Sequence, residues 1–338
     1  MKYVNLALVG CGDFMVHAHV PQLLKVPEIR VVALCDSRRG AAEKLRLERF
    51  NDDPEIRIFS NWEHLLKNRP TGPCGVLFAT PHHQHFEQCS AALEQGWNVL
   101  VEKPMVTNSH HARSLAALVR KTGLQLQIAF QAPFSAEYGF IKDLLARGQL
   151  GELQTVVGMC HQGWKSSTWD TWRQKPELSG GGFIYDTGSH LLNAITWLVD
   201  RPALEVFAWL DNKLTGVEIN GTISIRWDKY LIGSVTASCN SPGWQEGIWL
   251  AGDRGRVVTG IHGGRLEYFD RDGGLVLPPR LKDDHHKAQQ STPVRNFALS
   301  LLGLQEPQCP VRFGVLNSQL MDGIYQSARE GRPVKISQ

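Results

Sequence analysis

The sequence predicts an α/β protein of two domains, and three observations support this. Residues 1–130 alternate short apolar runs with amphipathic segments, a pattern typical of parallel strands joined by helices. After Phe130 a two-residue alternation takes over, which favours antiparallel strands with one buried face. The chain has 338 residues, enough for two hydrophobic cores. The expected domains are therefore 1–130 and 131–338.

The first domain is predicted to contain a parallel sheet with helices on both faces. Its predicted strands are the apolar runs Val4–Val9, Arg30–Cys35, Gly75–Ala79, Asn98–Val101 and Gln125–Phe130. Helices are predicted between them, at Phe86–Glu94 and Ser109–Lys121. In such a sheet the ligand binds at the carboxyl ends of the strands, so the residues that follow each strand are the first candidates for a site.

The second domain is predicted to begin with a helix over Ala136–Arg147, ended by Gly148. A strand over Val217–Trp227 and another over Tyr230–Ser238 follow, with apolar residues on one face and short polar residues on the other. We expect the polar face to be buried against a second copy of the chain. A loop is predicted over 278–290, and helices near 291–303 and 312–330.

Composition excludes several classes of protein. Hydrophobic residues make up 42% and charged residues 20%, and the net charge of +3 is too small to indicate a nucleic-acid or anionic-membrane partner. No apolar run approaches the roughly 20 residues of a membrane span, and the apolar N-terminus continues into a glycine loop without a cleavage pattern. The seven cysteines form no CxxC pair, so we expect buried thiols and a cytoplasmic protein.

A glycine loop directly follows the first predicted strand. Glycines at this place permit a tight turn and let a pyrophosphate approach the backbone at a helix N-terminus. The candidates are Gly10, Gly12, Asp13, Phe14 and Met15, with Met15 in the place of the usual third glycine. An ordinary strand–helix turn is the alternative interpretation.

Asp36 ends the second predicted strand, 26 residues after Gly10. A carboxylate there can accept hydrogen bonds from the ribose hydroxyls of a dinucleotide and repels a 2′-phosphate, which favours NAD over NADP. The alternative is a helix N-cap formed together with Ser37. Arg38 and Arg39 leave the preference open, because either side chain can reach a phosphate.

Two more strand ends carry polar residues. One holds Thr80, Pro81, His82, His83 and His85, and the other holds Glu102, Lys103 and Pro104. Three histidines within four residues suggest a metal, but they do not share one helix face and no carboxylate completes the set, so no metal is expected. Lys103 is a functional candidate, because a buried lysine is costly unless it has a partner or a function. A surface lysine at a strand end is the alternative.

The fourth constellation is a run of three glycines followed by Asp186 and His190. The two residues are four apart, so one helical turn would place them on the same face. A carboxylate beside an imidazole fixes its tautomer and suits it for proton transfer. A histidine satisfied within the core is the alternative.

In their order along the chain, GCG with His19-x-Pro21, TPxxxH, EKP and GGGxxxDxGxH resemble the Gfo/Idh/MocA family. The resemblance covers essentially the whole chain. It implies a Rossmann domain that binds NAD or, less favoured here, NADP. An α/β domain with a large, mostly antiparallel open sheet would follow and support a dimer or tetramer. It also implies an enzyme that transfers a hydride between the cofactor and a hydroxyl of a sugar, cyclitol or related polyol.

The same resemblance assigns roles to residues. Lys103, Asp186 and His190 correspond to the catalytic residues, and Trp164, Trp169 and Trp172 could stack on a sugar ring or pack as core. The residues expected to bind the substrate are Lys103, Trp164, Trp172, Arg173, Asp186, His190 and Asn193. The residues expected to bind the cofactor are Gly10, Gly12, Asp13, Phe14, Met15, Asp36, Ser37, Arg38, Thr80, Pro81, His82, His85, Glu102, Lys103 and Gln131.

Some positions depart from the family pattern, and other functions stay open. Asn193 stands where an Asp often occurs, and Gln131-Ala132-Pro133 replaces the usual Asn-x-Arg. A glycosidase that oxidises its substrate transiently with NAD would use nearly the same residues. A non-catalytic regulator that responds to NAD or sugar is a second alternative, and Lys103, Asp186 and His190 argue against it. A structural or interaction protein would have no use for the glycine loop.

Overall fold

The computed structural model describes residues 3–276 and 292–337. The loop predicted over 278–290 lies outside these residues. The strands are β1 Val4–Val9, β2 Ile29–Cys35, β3 Arg57–Phe59, β4 Cys74–Phe78, β5 Asn98–Val101, β6 Leu126–Ile128, β7 Leu153–Gln162, β8 Glu205–Asp211, β9 Asn220–Arg226, β10 Ile232–Ser238, β11 Trp244–Gly252, β12 Arg256–Thr259, β13 Leu266–Phe269, β14 Leu275–Val276 and β15 Val334–Lys335.

The helices follow the same order along the chain. They are α1 Val20–Leu23, α2 Ala41–Arg49, α3 Trp62–Leu66, α4 His85–Glu94, α5 Ser109–Thr122, α6 Ala136–Ala146, α7 Trp164–Ser167, α8 Pro176–Ser179, α9 Gly188–Val199, α10 Pro293–Leu301 and α11 Val311–Glu330. A π-helical turn over Met15–His19 precedes α1, and short 3₁₀ turns cover His82–Gln84, Ala132–Phe134 and Trp172–Gln174. None of the helices within the described ranges is long and apolar enough to cross a membrane.

The chain divides into two compact units. Among the described residues, the first contains 3–106, 110–129 and 292–314, and the second contains 107–109, 130–276 and 315–337. The segment after 291, expected in the second domain, thus returns to the first unit. The amphipathic pattern of α10 predicts a helix but does not reveal which sheet that helix covers.

The first unit is built on a six-stranded sheet in the order β3-β2-β1-β4-β5-β6. All its named strand pairs are parallel, which confirms the prediction of a parallel sheet. The interior is apolar, with Leu6, Leu8, Leu34 and Leu77 in one buried cluster. Because the strands are parallel, the residues that follow β1, β2, β4 and β5 meet at one edge of the sheet.

The second unit is built on a nine-stranded sheet in the order β14-β13-β12-β11-β7-β10-β9-β8-β15. Only the pair β10–β7 is parallel among its described strand pairs, which confirms the mostly antiparallel prediction. One face packs on α9, since a Cβ on Gly158 of β7 would lie 2.8 Å from Leu191 and 2.9 Å from Ile195.

The outer face of this sheet differs from the expectation of short polar side chains alone. Thr222, Ser224 and Arg226 do lie on it. In register beside them, however, lie Trp209, Ile232 and Val157, which are 64%, 53% and 42% exposed. Trp209 and Val157 lie on β8 and β7, two strands that the sequence pattern did not define. Ile232 lies on the predicted strand Tyr230–Ser238, as an apolar residue on its otherwise polar face.

Candidate active site

Gly10 brings the first loop close to its neighbours. Its φ is +88°, and a Cβ at this position would lie 2.5 Å from the carbonyl oxygen of Ala79, which follows β4. Its N–H donates to the carbonyl of Cys35 at the end of β2, at 2.8 Å. Only glycine fits this conformation and spacing. The loop therefore offers an open backbone for a pyrophosphate, and the residues fit a dinucleotide.

Met15 explains how the loop tolerates the missing third glycine. Its side chain is fully buried in the apolar cluster of the first unit, with Leu6 and Leu34. Asp13 and Phe14 before it are exposed. The large side chain thus occupies the core beneath the loop.

Asp36 is held by a dense set of hydrogen bonds. Its Oδ2 accepts from the Cys11 N–H at 2.8 Å, and its Oδ1 accepts from the Arg38 N–H at 2.8 Å. The Arg38 guanidinium also donates to both oxygens, at 3.0 Å and 2.9 Å. Burial alone would raise the pKa of Asp36, but the hydrogen bonds from Arg38 and Cys11 outweigh it and lower the pKa.

Arg38 and Ser37 complete this corner of the first unit. A Cβ on Gly12 would meet the Arg38 guanidinium at 3.6 Å, so this cation lies beside the glycine loop. Arg38 and Ser37 are both exposed. The aspartate and the arginine that sequence reasoning set against each other therefore form one ion pair.

His85 connects the two other strand ends. Its Nδ1 lies 2.8 Å from the carbonyl oxygen of Pro104, and its Nε2 lies 2.9 Å from that of Thr80. Burial lowers the pKa of this fully buried ring, and the two carbonyls oppose that shift. The ring of His82, also buried, lies 6.0 Å from that of His85. His85 thus fixes the spacing between the Thr80 and Pro104 segments.

Glu102 orders the backbone at Lys103. One carboxylate oxygen is 2.7 Å from Nε2 of buried His19, and the other accepts from the Lys103 N–H at 3.0 Å. Lys103 itself is only 9% exposed, which excludes the surface lysine considered for it. This contact explains why His19 and the Glu102-Lys103-Pro104 segment occur together in the sequence pattern.

No group of three or more His, Cys, Asp or Glu side chains within the described ranges is arranged to hold a metal ion. His82, His83 and His85 diverge, because His82 and His85 are buried and His83 is exposed. All seven cysteines are buried thiols, as expected.

In the second unit, Asp186 is held by two donors. The Trp164 indole donates to Asp186 Oδ2 at 2.8 Å, and the Arg173 guanidinium meets the same oxygen at 3.1 Å. The Arg173 guanidinium also lies over the Trp172 ring, 4.7 Å from its centre. Two of the predicted substrate residues thus bind Asp186, and a third, Trp172, packs against one of them.

His190 lies in the first turn of α9, which begins at Gly188, so Asp186 precedes the helix and the four-residue spacing is not a single helical turn. The His190 ring packs edge-on against Phe130, at 5.8 Å, and against His262, at 4.8 Å. His262 was not among the predicted site residues, because it lies 72 positions away in a turn after β12.

Asn193 and Gln131 differ sharply in burial. Asn193 is fully buried one turn after His190, and neither its Oδ1 nor its Nδ2 has a hydrogen-bond partner among the described residues. Gln131 is exposed and belongs to the second unit.

Comparison with protein families places both halves of the chain. Residues 4–130 match the family model described as the oxidoreductase family, NAD-binding Rossmann fold, and residues 138–258 match the GFO/IDH/MocA C-terminal domain. The chain belongs to the Gfo/Idh/MocA family. It is therefore an oxidoreductase that binds NAD, and the resemblance found in the sequence is confirmed.

Individual members of the Gfo/Idh/MocA family match along the whole chain. D-glucoside 3-dehydrogenase of Escherichia coli is 27% identical, and the match covers 98% of this chain and 97% of the relative. scyllo-Inositol 2-dehydrogenase (NAD(+)) of Bacillus subtilis is 25% identical, with 98% and 96% covered. The structure of the WlbA dehydrogenase from Bordetella pertussis has the same fold, with a TM-score of 0.81, 22% identity and all of both chains covered.

Glu218 is a residue of this Gfo/Idh/MocA member that sequence reasoning missed. Its carboxylate accepts from the N–H groups of Gly182 and Ile184, at 2.8 Å and 2.9 Å, and from the Tyr325 hydroxyl at 2.7 Å. Burial raises the pKa of Glu218, and these donors limit the rise. Glu218 therefore holds the glycine run that leads to Asp186.

The glycines of that run are required by close contacts. A Cβ on Gly182 would lie 2.2 Å from the carbonyl oxygen of Glu218, and a Cβ on Gly181 would lie 2.3 Å from the Tyr325 hydroxyl. Three successive glycines before an Asp were the available sign that another segment packs tightly against them.

Proposed function

We propose that this protein is an NAD-dependent dehydrogenase whose substrate is a sugar, cyclitol or related polyol. The proposal depends chiefly on the buried Lys103 at the sheet edge that also carries the Gly10 loop. A lysine in a buried position is costly unless it has a partner or a function. The similar proteins named D-glucoside 3-dehydrogenase and scyllo-inositol 2-dehydrogenase support this substrate class.

Three side chains carry the proposed reaction. Lys103 donates a hydrogen bond to the substrate oxygen as negative charge develops on it. His190 takes the hydroxyl proton on a ring nitrogen, and the Asp186 carboxylate stabilises the imidazolium that results. Bound NAD would supply the acceptor for the hydride that leaves the substrate carbon. Residues 1–130 would hold the cofactor and residues 131–338 the substrate, with the segment after 291 completing the first unit.

The preference for NAD over NADP rests on Asp36. Its lowered pKa keeps the carboxylate ionised at neutral pH, and an ionised carboxylate repels a 2′-phosphate. Arg38 is engaged by the same carboxylate, which reduces its capacity to attract that phosphate.

The test compares Lys103→Ala and His190→Asn with the wild type, using a panel of sugars, cyclitols and glycosides. Each variant should lose about 100-fold or more in kcat, while NAD affinity measured by titration stays unchanged. The double variant should lose little more, because both changes disable one proton transfer. Lys121→Ala and His64→Asn, at exposed positions of the first unit, serve as matched controls.

Near-normal turnover in either variant would place the chemistry elsewhere. NADH that accumulates with product supports the dehydrogenase, whereas product formation without net NADH would identify a redox-neutral glycosidase.

We also propose that the chain forms a dimer or tetramer through the outer face of the nine-stranded sheet. The exposed Trp209, Ile232 and Val157 side chains of this face support the proposal, because burying them removes apolar area from water. The seven buried thiols favour a reducing compartment, and we assign the protein to the cytoplasm.

A further inference from the structure

Three polar side chains lie on the helix-covered face of the second sheet. Glu246 of β11 is opposite Cys160, and Gln162 is two residues beyond Cys160 on β7. Thr259 of β12 is opposite Ile248, which is two residues beyond Glu246. Because side chains two positions apart share a face, the three residues lie on the face that α9 covers.

Each of the three has a polar atom without a partner. Gln162 Nε2, Glu246 Oε2 and Thr259 Oγ1 are buried and have no hydrogen bond of normal geometry to any other described residue. Burial raises the pKa of Glu246, and the Ile261 and His262 N–H groups and the Trp244 indole, which approach its carboxylate, limit the rise. Gln162 is 8% exposed and Thr259 is fully buried. A buried polar atom without a partner lowers stability, and neighbouring ones on a single face indicate that something else supplies the bonds.

Glu246 links this polar face to His190. Its Oε1 accepts from the Ile261 N–H at 3.0 Å, which leaves Oε2 on the other side of the carboxylate. The next residue, His262, packs its ring against that of His190 at 4.8 Å. The carboxylate is therefore held beside a neighbour of the histidine proposed to take the substrate proton.

We propose that Gln162, Glu246 and Thr259 bind the hydroxyl groups of the substrate ring and that Glu246 selects against anionic substrates. This inference rests on the proposed function. A hydroxyl can accept from Gln162 Nε2 and donate to Glu246 Oε2, and an ammonium group can donate to the same carboxylate oxygen. A carboxylate on the substrate would meet Glu246 with like charge in a partly desolvated place, which weakens its binding.

The test measures binding of D-glucose, D-glucosamine and D-glucuronate to the NADH-loaded protein by titration calorimetry. Wild-type protein should bind glucose and glucosamine at least about tenfold more tightly than glucuronate. Glu246→Gln keeps the shape and an acceptor for the Ile261 N–H but removes the charge. This variant should bind glucosamine about tenfold more weakly and glucuronate about tenfold more tightly than the wild type does.

Two further variants complete the design. Glu267→Gln, on β13 of the same sheet and paired with Arg265, is the matched control and should leave all three affinities unchanged. Gln162→Leu should weaken the binding of all three sugars to the same extent. It tests the site independently if Glu246→Gln does not fold.

An unchanged order of affinities in Glu246→Gln, or no binding of any sugar to the wild type, would overturn the inference. Binding that follows the Glu246 charge without NADH formation in the turnover assay would refute the dehydrogenase but support the binding site. Turnover with NADH formation, together with sugar affinities that do not change when the Glu246 charge is removed, would support the dehydrogenase but refute the binding site.

Discussion

The indole of Trp164 and the carboxylate of Asp186 are joined by a 2.8 Å hydrogen bond between two buried side chains. Trp164 begins α7, whereas Asp186 follows the glycine run, 22 positions later in the chain. The bond fixes one carboxylate oxygen, to which Arg173 also donates. An aromatic residue that could have stacked on a sugar thus also orients the carboxylate of a proposed catalytic residue.

Trp164→Phe should lower kcat by about tenfold, because a hydrogen bond to a charged group is lost while the aromatic packing is kept. NAD affinity should be unchanged, since the cofactor loop lies in the first unit. The measurement is steady-state turnover with fluorescence titration of NAD. Trp62→Phe in α3 is the control, and an equal effect there would indicate a general loss of stability.

Glu218→Gln should destabilise the protein by roughly 1–3 kcal/mol, since one carboxylate oxygen becomes an N–H₂ group that faces backbone donors. Thermal unfolding at pH 7 measures this. Tyr325→Phe removes only one of the three donors to Glu218 and should lower the free energy of unfolding by a smaller amount. If both variants melt like the wild type, Glu218 does not hold the glycine run as described.

Acid should destabilise the cofactor-free protein partly through Asp36. The folded-state pKa of Asp36 lies below the ordinary value of 3.8, so its contribution to stability is present above that value. The contribution is lost as pH falls through the lowered folded-state pKa. Asp36→Asn should therefore flatten the loss of stability below about pH 4 in urea unfolding. Asp272→Asn, at an exposed turn, should follow the wild-type curve.

Asp36→Ser should raise kcat/KM for NADP relative to NAD by at least about tenfold, since a repulsive charge is removed and Arg38 is released to meet the 2′-phosphate. Adding Arg38→Ala should cancel most of this gain. A wild-type enzyme that already favours NADP would show that the ion pair does not determine the choice of cofactor.

Ile232→Lys combined with Val157→Lys should produce a monomer, because two charges on the outer sheet face cannot be buried against a second copy without a partner. Light scattering at micromolar concentration measures the mass. Leu47→Lys, on exposed α2 of the first unit, is the control. A monomeric wild type would contradict the proposed assembly.

The local sequence pattern predicted several strands of this fold accurately. The predicted strands Val4–Val9 and Asn98–Val101 match β1 and β5 to the residue, because each is an apolar run followed at once by a loop with polar or glycine residues. β3 was missed, since three residues, Arg57–Phe59, are too few to show a period. The division of the chain was not predictable locally either, because the partner of α10 is set by packing.

The same limit applies to the site. The strand-end residues Asp36, Glu102 and Lys103 could be found because the carboxyl edge of a parallel sheet concentrates ligand contacts. Glu218 could not, because alternation placed it on the polar face of a predicted strand, while its partners Gly182 and Tyr325 lie far along the chain. Hydrogen bonds between distant segments leave no periodic trace in the sequence.

The return of α10 to the first unit also bears on how the protein is made. Phe297 is fully buried, and a Cβ on Gly75 of β4 would lie 2.5 Å from its ring. The Ile128 N–H also donates to the Cys309 carbonyl at 3.0 Å. The first unit can therefore be completed only after most of the second unit has been translated, and until then one apolar face of its six-stranded sheet stays uncovered. Chaperone contacts during synthesis should concentrate on that face.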